Sequence, residues 1–304
     1  MRLNKLSLKD KRLFDRYLSL TPHELSVYSF VNIYIWKALF EIYWAVIEKN
    51  LCVFFKDRIG LFMYLEPLSK NPSPRALSQA FRIMDSFNKN KSICRIENIE
   101  EKNLDLYRKL GYGCVAKEGD YLCISRDLAE LKGNRFKSKR SSVNYFLKNY
   151  NFNYAAYSQK DEPACLSLYS SWMSGRKCEN RDKIYCGMLE DSFSCLKILL
   201  QDYSKLECIG RVVKVRGKAG AFTFGFPLNK DTFCILYEVT DLSIKGLAQF
   251  IFWKFSNELK GYRYINIMDD SGLENLKRVK LSFCPDRLVS AYIVLKKYPQ
   301  DRVR

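Results

Sequence analysis

The sequence predicts a mixed α/β protein made of two copies of one folding unit, each a mixed, largely antiparallel sheet flanked by helices. Three observations lead there: a length and apolar content suited to two cores, an ordered internal similarity, and the same succession of patterns in both halves. At 304 residues, 47% of them hydrophobic and 14% aromatic, the chain suits two units of about 150 residues each. Such a chain buries most of its apolar surface without staples, and long disorder is not expected.

The similarity starts with Leu25-Ser26-Val27-Tyr28-Ser29, which recurs as Leu166-Ser167-Leu168-Tyr169-Ser170. It continues with Gly60, Phe62, Tyr64, Pro67 and Leu68 against Gly220, Phe222, Phe224, Pro227 and Leu228, then Ala76-Leu77-Ser78-Gln79 against Gly246-Leu247-Ala248-Gln249. Leu110-Gly111-Tyr112 pairs with Leu281-Ser282-Phe283, and Tyr121 with Tyr292. The offset grows from 141 (Leu25 to Leu166) to 171 (Leu110 to Leu281), as loop insertions in the second copy would produce. Preserved order carries more weight than any single match.

In the first copy, apolar residues at helical spacing predict a helix over 22–37, with Thr21 as N-cap and Pro22 opening it. Residues 40–47, 51–56 and 59–65, rich in aromatic and β-branched side chains, read as an antiparallel meander. A Pro/Ser loop, a helix over 75–88, a strand over 92–97, a helix over 102–110 and a strand over 121–125 complete the copy. The second copy reads as helices over 162–172 and 191–202, strands over 207–216, 219–226 and 232–239, and a helix over 246–260. A strand over 264–268, a helix over 273–280 and a strand over 288–295 follow. The expected division is 1–130, a basic linker 131–150 that turns helical after Lys139, and 151–304. This order is that of the GCN5-related N-acetyltransferase (GNAT) fold, so a tandem GNAT-like acyl-CoA N-acyltransferase architecture is expected.

Lys and Arg total 51 against 33 Asp and Glu, a formal charge of +18, which favours polyanionic partners such as nucleic acid, anionic lipid or phosphorylated cofactors. Eleven cysteines, an odd number without a CxxC pair, fit free thiols in a reducing compartment better than disulfides or structural zinc. No metal site is expected. The single histidine, His23, argues against Cys/His and Ser/His nucleophilic catalysis. The first residues are charged rather than apolar, and the apolar stretch 25–47 is broken by Asn32, Lys37 and Glu41. A cytoplasmic protein without a transmembrane segment is therefore expected.

Two segments carry a family resemblance. One is the linker's Gly133-Asn134-Arg135-Phe136-Lys137-Ser138-Lys139-Arg140. The other is Asn266 with Asp269-Asp270 and Gly272-Leu273, followed by Leu276, Lys277, Arg278 and Lys280. Together with Pro227-Leu228-Asn229, Glu238, Asp241 and Gly246-Leu247-x-Gln249, they resemble stand-alone members of the family containing the C-terminal domain of phosphatidylglycerol lysyltransferases. That family is similar to the Fem-type aminoacyl transferases. The resemblance spans nearly the whole chain. It implies tandem acyltransferase units with the active cleft in the second, and transfer of an aminoacyl group from aminoacyl-tRNA to an amine or hydroxyl. A phosphatidylglycerol-like lipid or a soluble molecule is the implied acceptor, and contact with the inner face of a membrane would be peripheral.

Aminoacyl transfer needs a group to handle the attacking proton and donors for the developing oxyanion. Glu238, Asp241, Asp270 and Lys280 are the catalytic candidates, with strand-end solvation, helix capping or ion pairing as the plain alternatives. Lys245, Gly246, Leu247 and Gln249 stand where acetyltransferases carry their pyrophosphate turn, but a single glycine and the lack of an initial Arg or Gln degrade that signature. No tightly bound cofactor is expected; aminoacyl-tRNA is the expected donor and acyl-CoA the alternative. Arg135, Lys137, Lys139, Arg140 and Lys148, interleaved with aromatics, are the candidates for tRNA or anionic-surface binding. Two competing readings are a CoA-dependent N-acyltransferase and a noncatalytic RNA- or lipid-binding module.

Overall fold

The computed structural model describes residues 2–296. They form two compact units that are not consecutive halves of the chain. The first comprises residues 2–120, 269–272 and 288–296, the second residues 121–268 and 273–287.

In the first unit, strands Asn4–Lys5 (β1), Glu41–Ile47 (β2), Asn50–Lys56 (β3), Leu61–Met63 (β4) and Arg95–Glu100 (β5) lie in that order. The β4–β5 pair is parallel and the preceding pairs are antiparallel. Beside β5 runs Arg287–Leu295 (β12), the last strand in the sequence, antiparallel with Ala291 opposite Glu100. Helices Lys11–Leu18 (α1), Phe30–Ile35 (α2), Pro74–Phe87 (α3) and Leu104–Lys109 (α4) belong to this unit. Ala76, Leu77, Ala80, Phe81 and Met84 of α3, at helical spacing, pack into its core with Phe54, Met63 and Ile96.

The second unit repeats the scheme. Its strands are Phe152–Ala156 (β7), Ile209–Val215 (β8), Lys218–Pro227 (β9), Thr232–Thr240 (β10) and Tyr264–Asn266 (β11), in that order, with β10–β11 as the parallel pair. The end of Gly113–Ile124 (β6) takes the place beside β11, with Cys123 opposite Ile265. Helices Ser125–Glu130 (α5), Lys137–Asn149 (α6), Glu162–Glu179 (α7), Lys183–Gln201 (α8), Leu247–Glu258 (α9) and Glu274–Leu281 (α10) accompany these strands. The aromatic run of α9 (Phe250, Phe252 and Phe255) is core, packed with Phe146, Phe233 and Leu247.

Strand order and the position of the parallel pair therefore agree between the units, as a duplicated GNAT-like fold requires. The closing strands are exchanged: β12 completes the first sheet and the end of β6 completes the second. The expected grouping of 121–125 with the first copy and 288–295 with the second misses this exchange, because pairing partners are not written in local periodicity.

The expected helix over 22–37 is shorter. Helix begins only at Phe30, with the Ser29 hydroxyl accepting from Asn32 N at 3.0 Å as the true N-cap. Upstream, buried carboxylates capture the amides that a helix would have used. Glu100 accepts from Glu24 N at 2.6 Å and Leu25 N at 3.3 Å, and Asp120 accepts from Ser26 N at 2.6 Å. Among the described residues, no helix is long and apolar enough to cross a membrane.

Candidate active site

The second unit's central strand creates an opening. β10 pairs with β9 from Phe233 to Thr240, but with β11 only from Thr232 (opposite Tyr264) to Cys234 (opposite Asn266). β11 ends there because the Asn266 side chain accepts from Met268 N at 2.7 Å and Met268 adopts φ 63°, turning the chain away. Past Cys234 the edge of β10 lies outside the parallel ladder. A register shift between Ile235 and Tyr237 re-aims the residues that follow.

Glu238 sits just beyond this bulge. The residue as a whole is only half-buried, but its Oε2 atom is enclosed and has no hydrogen-bond partner. Burial pushes its carboxyl up to about 8, even though Lys139 and Lys280 pull the other way. A neutral carboxylic acid near pH 7 is the result, poised close to the pH at which a proton shuttle works best.

The two lysines come from different helices. Lys139, in the first turn of α6, donates to Ser282 Oγ at 2.8 Å and lies 3.7 Å from the centre of the Phe283 ring. Burial lowers its pKa, opposed by Cys284, Glu238 and Cys123. Lys280, in the last turn of α10, donates to the Ile267 carbonyl. Cys123 of β6 stands in the same electrostatic neighbourhood, but burial pushes its thiol up to about 12, so it is no nucleophile. Phe252 and Phe283, with ring centres 4.1 Å apart, contribute apolar surface. One acid and two ammonium groups in a largely apolar setting can move a proton and stabilise a developing oxyanion.

A separate pocket of about 760 Å³ opens between α7, the β8–β9 turn and the loop after β10. Trp172, Asp161, Lys214, Glu179, Lys218 and Asp241 line it, so both charge signs and one aromatic surface face the space. Asp161 is buried and pairs with Lys214 at 2.7 Å. Asp241 belongs to this pocket: its carboxylate accepts from Ser243 N at 2.9 Å and from Ser243 Oγ at 2.7 Å.

The remaining candidates have other surroundings. Gly246 adopts φ +84°, and a Cβ there would lie 2.3 Å from the Ser142 carbonyl oxygen, so α6 packs against the start of α9 at this glycine. Leu247 is fully buried in the core, Lys245 lies 4.6 Å from the centre of the Tyr145 ring, and Gln249 is half-buried. Asp270 is buried, accepts from Gly272 N at 3.0 Å, and lies in a segment belonging to the first unit. In the basic run, Arg135 pairs with Asp127 at 2.5 Å, and Arg140 donates to the carbonyls of Leu131 and Gly133. Lys137 and Lys148 are exposed on α6.

The structure thus gathers Glu238, Lys280 and Lys139, the last of which the sequence had placed with the anion-binding residues. Trp172 and Lys214 were missed. Trp172 stands in an ordinary helical pattern and Lys214 in an ordinary strand, and nothing local marks either.

Comparison with known proteins settles the family. The family model described as phosphatidylglycerol lysyltransferase, C-terminal, matches residues 19–295. The chain belongs to this family. Among solved structures, a conserved protein of unknown function from Bacteroides thetaiotaomicron VPI-5482 superposes with TM-score 0.87 at 26% identity, covering 98% of this chain and all of its own. The L-PGS of Bacillus licheniformis has TM-score 0.64 at 15% identity, with 96% of this chain and 94% of that one covered. FemX has TM-score 0.63 at 10% identity, with 96% and 97% covered, and at such identities the likeness is one of fold. No curated protein matches the chain in a sequence search.

Proposed function

We propose that this protein transfers an aminoacyl group from aminoacyl-tRNA to an amine or hydroxyl acceptor, with Glu238 handling the proton. The observation that carries the reading is the enclosed Glu238 carboxyl, without a hydrogen-bond partner on Oε2, on the part of β10 beyond the parallel ladder and within the electrostatic influence of Lys139 and Lys280. The acceptor's nitrogen or oxygen attacks the ester carbonyl and passes its proton to the ionised form of Glu238. The oxyanion forms against the Lys139 and Lys280 ammonium groups. As the C–O bond to the ribose breaks, Glu238 returns the proton to the departing ribose oxygen, so the carboxylate is regenerated.

Charge supports a nucleic-acid donor. The chain carries +18, and Lys137 and Lys148 present exposed ammonium groups on α6. The degraded turn at Lys245, Gly246, Leu247 and Gln249 speaks against an acyl-CoA donor. The Ser142 carbonyl oxygen packs against Gly246, which is unfavourable for an anionic pyrophosphate. A noncatalytic binding module would have no use for an enclosed acid that costs stability at neutral pH. For the acceptor, the family and the solved L-PGS favour a phosphatidylglycerol-like lipid approached peripherally. All eleven cysteines are free thiols, which supports a cytoplasmic setting.

The test is incubation of the purified protein with a mixture of labelled aminoacyl-tRNAs, followed by phosphatidylglycerol vesicles or a soluble cell extract. Label is expected in lipid or a small molecule, and lost with Glu238→Gln. Equal transfer from acyl-CoA without any tRNA would overturn the donor assignment.

A further inference from the structure

The first unit holds a cluster that acyl transfer does not use. His23, Glu66 and Glu100 are 5%, 5% and 3% exposed, and one ligand-type atom from each lies within 4.8 Å of the others. Two carboxylates enclosed this deeply need cationic compensation.

The groups around them orient the cluster as an outer shell orients metal ligands. The Thr21 hydroxyl lies 3.0 Å from His23 Nε2, which leaves Nδ1 turned toward Glu100 Oε2, also at 3.0 Å. The amides of Glu24 and Leu25 fix Glu100 through Oε1, the other oxygen. Glu66 is held mainly through Oε1, which accepts from Asn103 Nδ2 at 2.7 Å and lies 3.1 Å from Tyr28 Oη, whose shorter hydrogen bond goes to the Asn98 carbonyl at 2.7 Å, while Oε2 has only a long contact of 3.4 Å from Tyr107 Oη. Each carboxylate therefore has one tethered oxygen and one directed inward, and the imidazole is tethered on its far nitrogen.

A second, independent feature points to an occupant. A cavity of about 140 Å³, lined in part by His23, Glu66, Thr21 and Ser69, reaches the cluster, and Ser69 Oγ is buried without a hydrogen-bond partner. That volume accommodates water ligands that complete a coordination sphere. The Lys102 ammonium, on a half-exposed side chain, lies 2.7 Å from Glu100 Oε2 and donates to the Pro22 carbonyl at 2.5 Å, so a bound cation would take over its place beside Glu100.

We propose that His23, Glu66 and Glu100 bind one divalent first-row transition-metal cation, with water reaching it through the Ser69 cavity. One imidazole and two carboxylates form a borderline-to-hard donor set suited to Zn²⁺, Mn²⁺ or Co²⁺ rather than to a thiolate-seeking ion.

The test uses the full chain, treated with chelator and dialysed, then titrated calorimetrically with Mn²⁺ and, separately, with Co²⁺ followed by absorption. One equivalent of each is expected to bind, with Co²⁺ showing ligand-field bands but no thiolate charge transfer. That distinction separates the site from adventitious binding to the eleven cysteines. His23→Ala and Glu66→Gln should abolish binding, and Thr21→Val, which removes only the outer contact, should weaken it about tenfold to a hundredfold. Circular dichroism verifies that each variant is folded, and Thr21→Val keeps the test decisive if the ligand variants do not fold. Failure of saturable binding in the wild type, a thiolate-type spectrum, or unchanged affinity in folded Thr21→Val would overturn the assignment. Transfer activity is not the readout, so the outcome stands apart from the fate of the proposed reaction.

Discussion

Replacing Glu238 by Gln should make the protein inactive and, across a defined pH window, relatively more stable. The carboxyl is held at about 8 when folded, against an ordinary value of 4.5. Between those values the native state keeps a proton that the unfolded chain has released. Native protein then binds more protons, so stability falls as pH rises from 4.5 toward 8. From pH 4.5 to 7 the penalty accumulates to about 3 kcal/mol, at roughly 1.4 kcal/mol per pH unit. Glutamine keeps the shape and does not titrate. Burying its amide carries a fixed cost that the pH dependence of the difference does not contain. Urea unfolding of both proteins at pH 4.5, 6, 7 and 8 should therefore show the wild type losing about 3 kcal/mol relative to Glu238→Gln by pH 7. Transfer activity in the variant should fall by about a hundredfold or more. A stability difference that does not change with pH would show that Glu238 is an ordinary solvated carboxylate, and the mechanistic argument would fail with it.

Other expectations follow from the same geometry. Lys280→Met removes a charge that holds Glu238 down, so the pH–rate profile should move to higher pH while the rate at pH 7 drops about tenfold or more; an unmoved profile would separate Lys280 from Glu238. Gly246→Ala places a Cβ 2.3 Å from the Ser142 carbonyl at φ +84°, and should destabilise by about 2 kcal/mol or more in chemical unfolding. Lys137→Glu combined with Lys148→Glu should weaken tRNA binding and flatten its salt dependence while leaving the melting temperature in place. Arg140→Ala, which frees the carbonyls of Leu131 and Gly133, should lower the melting temperature instead; filter binding and thermal unfolding distinguish the two.

The duplication and the order of helices and strands were legible because each rests on local pattern or on ordered similarity. What escaped depended on groups far apart in sequence. The segment 22–29 has a helical pattern, yet its amides are claimed by Glu100 and Asp120, some 75 and 94 residues downstream. Lys139 looked like one more member of a charge run. Only the packing of α6 places its ammonium beside Ser282 and Phe283. Arg135 and Arg140, equally basic on paper, are occupied by an aspartate and by carbonyl oxygens. The His23–Glu100 contact spans 77 residues, and no motif could have announced it.

The exchange of closing strands has a consequence for biosynthesis. β12 lies against β5 with Val294 opposite Ile96, a pairing between strands that leave the ribosome almost two hundred residues apart. The N-terminal unit, although translated first, must wait with one sheet margin unfinished until nearly all of the chain has emerged. Neither half of the sequence carries every strand of one sheet, so a cut between the halves is expected to leave each sheet short of its closing strand.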